Sequence, residues 1–263
     1  MSLVRNIFCS SLGKKYIMAL TGLALIGFAT GHLVGNLQIF SHPDKINGYA
    51  YFLQHLGPAL WAVRGGLLAI AALHIWSMTA LTLENHQARP VGYGVKHTIQ
   101  ATFASRSMRW TGCIVGAFLV YHLLHFTVGV TDPATFKSQF AYTMAQEFHL
   151  FGLPILAKGA EVHNVHTMMV LGFQNVFVSL FYIVAVTLLG LHIWHGFESA
   201  FQSLGLRTSR WGCFLRGATR LFVAFYILGS ISIPASVLAG VVKVGGSCPA
   251  ETVAQAPCCS ANK

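Results

Sequence analysis

Five long apolar segments dominate this chain, and they strongly restrict how it can fold. We place them near residues 16–39, 60–83, 109–130, 172–197 and 217–242. Each is long enough to cross the hydrocarbon core of a bilayer, which takes about 20 helical residues. A spanning segment must satisfy its own backbone hydrogen bonds, so these segments are predicted to be helices. The expected fold is an all-α integral membrane protein with five transmembrane helices.

Composition supports a membrane protein without a separate soluble domain. Only 9% of the 263 residues are charged, against about 25% in an ordinary soluble domain. We expect residues 1–242 to form one five-helix domain and residues 243–263 to form a polar C-terminal tail. Three of the six cysteines lie in that tail, and the other three are isolated from one another. The tail is predicted to be an ordinary flexible extension, with a metal site or a disulfide as the alternative.

The basic residues predict how the bundle is oriented. The net charge of +10 is spread between the apolar runs, which favours topology signals over nucleic-acid binding. The N-terminus and the loops at 84–109 and 198–220 hold eleven Lys and Arg, namely Arg5, Lys14, Lys15, Arg89, Lys96, Arg106, Arg109, Arg207, Arg210, Arg216 and Arg220. The other side holds six, namely Lys45, Arg64, Lys137, Lys158, Lys243 and Lys263. The positive-inside rule then places the N-terminus in the cytoplasm and the C-terminus outside the inner membrane.

The longest connection, residues 131–171, mixes polar residues with aromatic and aliphatic ones. Such a mixture is typical of an interfacial amphipathic helix and a capping loop, here on the outer face. We identify no internal repeat and no low-complexity segment in the chain.

Four histidines, His32, His74, His122 and His192, each lie in a different apolar segment. Ionisable side chains at bilayer depth are costly and are functional candidates by default. At about 1.5 Å of rise per helical residue, His32 and His122 fall in the outer half of the bilayer, and His74 and His192 fall in the cytoplasmic half. One such histidine alone is as readily explained by a hydrogen bond or a proton pathway. Two pairs matched in depth favour metal ligation.

Two imidazoles at one depth can bind one haem iron from its two faces. We therefore predict two haem b groups, a distal one held by His32 and His122 and a proximal one held by His74 and His192. No CxxCH motif occurs in the chain, so a covalently attached haem is not expected. His125 and His195 follow their neighbours by three residues on nearly the same helix face, and both stay as reserve ligands.

The segments around these histidines resemble a known family, the di-haem cytochrome b membrane anchor of succinate:quinone oxidoreductases in its five-helix form. The likeness covers about residues 12–242. It is carried by KKYIMALTGLALIGFATGHLVGNLQIF, LWAVRGGLLAIAALHIW, ENHQARPVGY, SRSMRWTGCIVGAFLVYHLLHF and LLGLHIWHGFESAFQSLGL. The family includes menaquinone-linked succinate dehydrogenases and quinol:fumarate reductases.

The resemblance implies the same four axial ligands, shared by the first and third helices and by the second and fourth. The spacing to Gly205 in the family pattern favours His192 over His195. It also implies a quinone substrate, with menaquinone preferred over other quinones. Two partner subunits, a flavoprotein and an iron–sulfur protein, are implied on the cytoplasmic face. Those partners of respiratory complex II carry out the succinate and fumarate chemistry of the tricarboxylic acid cycle. This chain has no sequence motif for FAD or an iron–sulfur cluster. A higher oligomer of the complex is compatible with the resemblance.

One position departs from part of the family. Some quinol:fumarate reductases carry a glutamate two residues before the fourth ligand, linked to transmembrane proton movement. This chain has Gly190 there, which favours a succinate dehydrogenase.

The polar residues that meet the quinone or a haem propionate are less well defined. On the outer side the candidates are Arg64, Gln38, Asn36, Tyr51 and His55. Arg64 is equally explained as an interfacial residue whose stem lies along the membrane. On the cytoplasmic side the candidates are Arg106 and Arg109, with a plain topology signal as the alternative.

Two other functions remain open. A quinone-reactive cytochrome b of another respiratory dehydrogenase would share the haem chemistry but have other partners. A transporter with a histidine proton relay would usually show intramembrane carboxylates and repeat symmetry. The five predicted cores contain no Asp or Glu, which counts against the transporter.

Overall fold

Five helices long and apolar enough to span a membrane form the body of this protein. The computed structural model describes residues 3–91, 101–133, 135–136 and 141–244. The spans are Ser11–Phe40, Pro58–Gln87, Phe103–Val128, Val176–Ser203 and Gly212–Leu238. The prediction of a five-helix multi-pass membrane protein is confirmed to this extent.

The helices follow one another along the chain with short connections on one side and longer ones on the other. The first four are α1 (Leu3–Cys9), α2 (Ser11–Asn36), α3 (Pro43–Gln54) and α4 (Pro58–Gln87). The next four are α5 (Phe103–Leu123), α6 (Val165–Gln174), α7 (Val176–Ser203) and α8 (Gly212–Leu238). A 3-10 turn at Leu37–Phe40 extends α2, and a π turn at Leu124–Val128 extends α5.

Several spans begin earlier than hydropathy predicts because polar caps set their first turns. The Ser10 hydroxyl accepts a hydrogen bond from the Gly13 amide at 3.0 Å, and α2 begins at Ser11, five residues before the predicted start of the first span at residue 16. The Thr102 hydroxyl accepts one from the Ser105 amide at 3.1 Å, again ahead of the predicted start at residue 109. Capping side chains satisfy amides that lack a partner in the first turn, and a hydropathy average does not detect them.

The predicted start of the fourth span at residue 172 is wrong. Gly172 belongs to α6, and a break at Asn175 separates α6 from α7. The Asn175 side chain accepts hydrogen bonds from the Phe177 amide at 3.0 Å and the Val178 amide at 3.4 Å. This cap starts a new helix within a continuous apolar stretch, so the hydropathy signal runs across two elements.

The spanning helices form two close pairs joined along one line of contact. α2 packs against α4, and α5 packs against α7. The two pairs meet where α2 packs against α7, and α8 also packs against α7. The diagonal combinations α2 with α5 and α4 with α7 are not among the closely packed pairs. Closely packed helices lie about 8–10 Å apart, so wider gaps remain along these two diagonals.

One end of the bundle, which we call the capped end, carries α3, α6 and two small antiparallel sheets. β1 (Ala141–Thr143) pairs with β4 (Glu161–His163), and β2 (Phe148–Leu150) pairs with β3 (Leu153–Leu156). The buried side chains between these strands are Tyr142, Met144, Phe148 and Val162. The predicted capping loop is present, but the predicted amphipathic interfacial helix is wrong. Tyr142 and Phe148 lie in strands, and α6, the helix in the described part of this connection, has most of its side chains buried.

A buried carboxylate organises the capped end. Asp44, on α3, accepts hydrogen bonds from the Tyr142 hydroxyl at 2.8 Å and from the Ala145 and Gln146 amides at 3.0 and 3.1 Å. Burial and the neighbouring Asp44 raise the pKa of Tyr142, which keeps this hydroxyl a donor. One turn further along α3, the fully buried Asn47 accepts a hydrogen bond from the His166 amide at 2.9 Å. α3 therefore fixes both the strands and α6.

At the other end, which we call the basic end, an ion pair joins the first helix pair. Lys14, near the start of α2, pairs with Glu84, near the end of α4. The Ser11 hydroxyl donates a second hydrogen bond to Glu84 at 3.2 Å. Lys14 is buried, so this contact fixes where the ends of α2 and α4 meet.

Acid is expected to loosen the capped end through His166. Burial lowers the pKa of His166 from 6.5, the Ile39 carbonyl opposes this and nearby His42 adds to it. Below pH 6.5 the unfolded chain binds a proton that the folded chain still excludes, so stability falls as the pH falls until the folded histidine also titrates. Hydrogen exchange of α6 amides at pH 7.5 and pH 5 measures this, and exchange should be faster at pH 5.

A pair of variants isolates the contribution of His166. His166→Phe should remove most of the acid sensitivity, whereas the exposed His149→Gln should leave it unchanged. An undiminished pH effect in His166→Phe would assign the sensitivity to another group near Asp44.

Candidate functional site

His32 and His122 face each other across the gap between α2 and α5. Their ring centroids lie 5.6 Å apart and the ring planes are almost perpendicular, at 85°. A metal–imidazole bond is about 2 Å long, so two imidazoles on opposite sides of one metal ion have centroids about 6 Å apart. The observed spacing is close to that value. Phe28 stacks on His32, and Phe118 lies beside His122, so each ring has an aromatic neighbour one turn before it.

The surroundings of His125 distinguish it from His122. His125 is 4% exposed, and its Nδ1 lies 3.0 Å from the Tyr182 hydroxyl. A methyl group added at Gly172 would be only 3.2 Å from its Nε2. His125 is therefore enclosed by protein, whereas His122 keeps accessible surface towards the gap. The geometry favours His122 as the ligand at this level, with His125 in a supporting position.

Tyr182 connects these two histidines. Its hydroxyl lies 3.0 Å from His125 Nδ1 and 3.4 Å from His122 Nδ1. A hydroxyl has one hydrogen to donate, so it donates to one ring and accepts from the other. Tyr182 was not predicted as a site residue, because nothing in its local sequence distinguishes it from other tyrosines of the apolar segments.

His74 and His192 form the second level, nearer the basic end. The two rings are electrostatic neighbours, and they come from α4 and α7, the other diagonal pair of helices. Each ring meets a threonine of the helix that packs beside it. His74 Nδ1 lies 3.2 Å from the Thr21 hydroxyl, and His192 Nδ1 lies 3.2 Å from the Thr111 hydroxyl.

These matching contacts reveal an internal repeat, and the expectation of no repeat is wrong. Thr21-Gly22 on α2 stands eleven residues before His32, and Thr111-Gly112 on α5 stands eleven residues before His122. The tetrapeptide LHIW occurs at 73–76 on α4 and again at 191–194 on α7. The pair α2–α4 is thus repeated by α5–α7. The two copies share only these few positions, which is why the overall sequence hides the repeat.

The four histidines keep accessible surface in this structure. His32 is exposed and His74, His122 and His192 are half-buried, although all four lie within membrane-spanning helices. Glycines without close neighbours occur on all five spanning helices, and Gly27, Gly31 and Gly116 lie on the helices of His32 and His122. A methyl group added at Gly27, Gly31 or Gly116 would meet nothing within 4 Å. Small residues at such positions let another helix or a flat group approach closely.

The donor set fits a haem better than a bare metal ion. Among the residues that the structure describes, no group of three or more His, Cys, Asp or Glu could hold an ion. A haem iron already has four ring nitrogens and needs only one or two axial protein ligands. Pairs of neutral imidazoles in an apolar gap match that requirement.

The reserve ligand His195 lies one turn beyond His192 on α7 and is half-buried. Glu198 is its electrostatic neighbour, and Glu198 also accepts a hydrogen bond from the Trp194 ring at 3.3 Å. His195 thus lies among polar groups close to the basic end.

The outer polar candidates make separate contacts in the described part of the chain. Arg64 is exposed on α4, with its guanidinium 5.1 Å from the centre of the exposed Trp61 ring. Tyr51 stacks on His55 at 3.8 Å, and the His55 ring bonds the Tyr51 carbonyl at 2.9 Å. Asn36 and Gln38 are half-buried at the end of α2. Within the described residues, no hydrogen bond joins Arg64 to these four.

On the basic side, Arg106 and Arg109 are exposed in the first two turns of α5. The cysteines Cys9, Cys113 and Cys213 are free and exposed. The tail cysteines Cys248, Cys258 and Cys259 lie outside the described residues.

No family model, curated protein or solved structure matches this chain. The resemblance to the succinate:quinone oxidoreductase anchors therefore depends on the sequence motifs, and the site must be judged by its own geometry.

The two repeated glycines allow a direct test of packing against the histidines. A methyl group at Gly22 would lie 3.1 Å from His74 Cε1, whereas one at Gly112 would lie 3.4 Å from His192 Cε1. The first distance requires a shift of His74, and the second is an ordinary contact. Overpacking costs about 1–3 kcal/mol, while glycine to alanine inside a helix gains about 0.5–1 kcal/mol. We expect Gly112→Ala to raise the melting temperature and Gly22→Ala to lower it. Equal shifts in the two variants would contradict the closer approach at Gly22.

Proposed function

We propose that this protein is the membrane-anchor and electron-transfer subunit of a succinate:menaquinone oxidoreductase. In this proposal, electrons move between an iron–sulfur partner and a membrane quinone by way of two bis-histidine haem b groups. The observation that carries it is the placement of two histidine pairs along the two diagonal gaps of the bundle, at two levels.

The separation of the levels follows from the repeat. Eleven residues separate Thr21 from His32 and Thr111 from His122, and Thr21 and Thr111 mark the level of His74 and His192. At about 1.5 Å per residue this is about 16 Å along the helices. Two sites so spaced cover much of a hydrocarbon core about 30 Å thick.

Each histidine has a defined role in the proposal. His32 and His122 hold the distal haem, and His74 and His192 hold the proximal one. Haem b supplies reversible one-electron chemistry when bound. The protein would supply neutral imidazoles, apolar surroundings that exclude water, and two pairs of helices that are not closely packed against each other.

The partners are assigned to the basic end. Exposed arginines there include Arg106, Arg109, Arg210, Arg216 and Arg220. Under the positive-inside rule this end faces the cytoplasm, where the iron–sulfur subunit would dock and carry the flavoprotein subunit. The capped end then faces the outer aqueous phase, and the membrane is the inner, cytoplasmic membrane.

The quinone is assigned to the capped half, close to the distal haem. Asn36, Gln38, Tyr51, His55 and Arg64 remain its candidate partners. The contact of Arg64 with an exposed tryptophan is also typical of an interfacial anchor, since aromatic rings concentrate at the membrane surface. This contact therefore supports the alternative explanation of Arg64 at least as well.

The surroundings of Gly190 support succinate oxidation over a proton-linked fumarate reductase. Gly190 is buried, and any side chain there would overlap Ile227 of α8. A glutamate would need the Ile227 side chain to move, so the packing here suits glycine better than the carboxylate on which that proton route depends.

A proton-relay transporter is less well supported. The observed spans extend far enough to include Glu84 and Glu198, but Glu84 pairs with Lys14, and Glu198 bonds Trp194. Both carboxylates lie close to the basic end. The repeat does favour a transporter in one respect, since transporters often have internal repeats. Haem content separates the two functions.

The first experiment is to purify the protein with its bound partners from native membranes. Haem per polypeptide is then measured as the pyridine haemochrome, and the co-purifying subunits are identified. Two non-covalent haems b with a flavoprotein and an iron–sulfur protein would support the proposal. Haem with different partners would favour another quinone-reactive cytochrome b, and a protein without haem would favour the transporter.

A further inference from the structure

We propose that Thr21 and Thr111 are positioning residues that orient both axial ligands of the proximal haem and fix which nitrogen of each ring faces the iron. This inference rests on the proposed function, because it concerns the ligands of one of its two haems. Neither threonine would touch the iron. Each acts through the histidine of the neighbouring helix, Thr21 through His74 and Thr111 through His192.

A threonine hydroxyl has a single hydrogen to donate. Thr21 lies within reach of its own helix backbone, with its hydroxyl 2.6 Å from the Ile17 carbonyl and 3.2 Å from the Met18 carbonyl. Threonine inside a helix commonly donates to such carbonyls. Once that hydrogen is used, the oxygen can only accept from a third partner. The third partner here is His74 Nδ1, at 3.2 Å.

His74 therefore carries its proton on Nδ1, and the Met18 backbone is a second hydrogen-bond partner of the same ring. In a neutral imidazole the other nitrogen, Nε2, is then unprotonated and free to bind a metal. The Thr21 hydroxyl thus selects the tautomer that a metal ligand needs, and it does so from α2, the helix on which His32 also lies. The ring is also held in place, because Gly22, the next residue, lets it lie close against α2.

The second copy of the repeat makes the same set of contacts. The Thr111 hydroxyl lies 3.1 Å from the Ser107 carbonyl, 3.2 Å from the Met108 carbonyl and 3.2 Å from His192 Nδ1. Both ligands of the proximal haem are therefore oriented in one way. The distal level differs, because His122 meets the Tyr182 hydroxyl instead. The threonine–histidine contact occurs twice at the proximal level, which is expected if it serves the proximal site.

A hydrogen bond accepted from Nδ1–H also tunes the ligand. It makes the imidazole more basic, and a more basic ligand stabilises ferric over ferrous iron. Losing the acceptor should raise the midpoint potential of the proximal haem. The expected change in the ferric-to-ferrous ratio at a fixed potential is up to about tenfold.

The test compares variants of the purified complex. Thr21→Val keeps the shape of the side chain and removes the hydroxyl, and Thr21→Ser keeps the hydroxyl. Thr30→Val is the matched control, because Thr30 lies on the same helix and bonds only the Ile26 carbonyl among the described residues, at 2.7 Å. The measurements are haem content, the midpoint potential of each haem and the low-spin EPR signal of each haem.

The expected result is specific to one haem. Thr21→Val should raise the potential of the proximal haem and change its EPR signal, while the distal haem stays unchanged. Thr21→Ser and Thr30→Val should resemble the wild type. If Thr21→Val loses the proximal haem altogether, full occupancy in both Thr21→Ser and Thr30→Val supports the inference, and equal loss in Thr30→Val overturns it.

The outcomes separate this inference from the proposed function. A wild-type protein without haem would overturn the proposed function, and the inference with it. Two haems with unchanged potentials and EPR signals in both Thr21→Val and Thr111→Val would overturn the inference alone.

Discussion

Replacement of His74 with alanine is expected to abolish the low-spin signal of one haem and leave the other intact. His74 and His192 are electrostatic neighbours on α4 and α7, whereas His32 and His122 face each other at 5.6 Å on α2 and α5. In the proposed function, His74 and His192 would both be needed to hold the proximal haem, so loss of His74 would leave it with one axial ligand. The haem content of the purified complex should fall from two towards one, and its EPR spectrum should keep one low-spin species.

Double variants test the pairing itself. His74→Ala combined with His192→Ala should cost no more than one haem, because both residues serve the same site. His74→Ala combined with His122→Ala should cost both. The exposed His86→Ala, near the end of the same helix α4, is the matched control and should keep two haems. Loss of both haems from the His74 and His192 combination, in a complex that still assembles, would mean that these two histidines do not share a site.

Replacement of Asp44 with alanine is expected to detach the strands of the capped end from α3. Three donors lose their acceptor at once, namely the Tyr142 hydroxyl and the Ala145 and Gln146 amides. Hydrogen bonds to a charged group contribute about 1.5–3 kcal/mol each and do not simply add. We expect a loss of about 3–5 kcal/mol in the local stability of the strands. Hydrogen exchange of the β1 and β4 amides measures it.

Two further variants bracket this effect. Asp44→Asn keeps one acceptor oxygen and should fall between the wild type and Asp44→Ala. Glu161→Ala removes an exposed carboxylate from β4 and should leave exchange unchanged. The spanning helices should also be unaffected in Asp44→Ala, because the Asp44 contacts lie in the capped end. Exchange in β1 and β4 as slow as in the wild type would show that the strands hold together without α3.

The sequence was sufficient for the features that depend on local composition. The five spans follow from apolar runs that each stand alone, and the four histidines stand out because each lies inside such a run. Errors arose where a boundary depends on one side chain. The cap at Asn175 divides an uninterrupted apolar stretch, and no average over that stretch detects it.

The features that the sequence did not reveal depend on contacts between distant residues. α3 is a short helix whose Asp44 and Asn47 find their partners about a hundred residues later in the chain. Thr21 and Thr111 look like ordinary membrane threonines until the structure places a histidine ring beside each hydroxyl. The signal that would have found them was present, since each threonine precedes a glycine and stands eleven residues before a histidine.

The single line of contact between the two helix pairs has a consequence for biogenesis. Contacts within α2–α4 and within α5–α7 join helices that follow one another in the chain, so each pair can form as it enters the membrane. The contact between α2 and α7 joins segments separated by everything from α3 to α6. It can close only after α7 has been inserted. Until then α7 does not hold α2 beside the second pair, so a flat hydrophobic molecule can enter between α2 and α5 from the lipid.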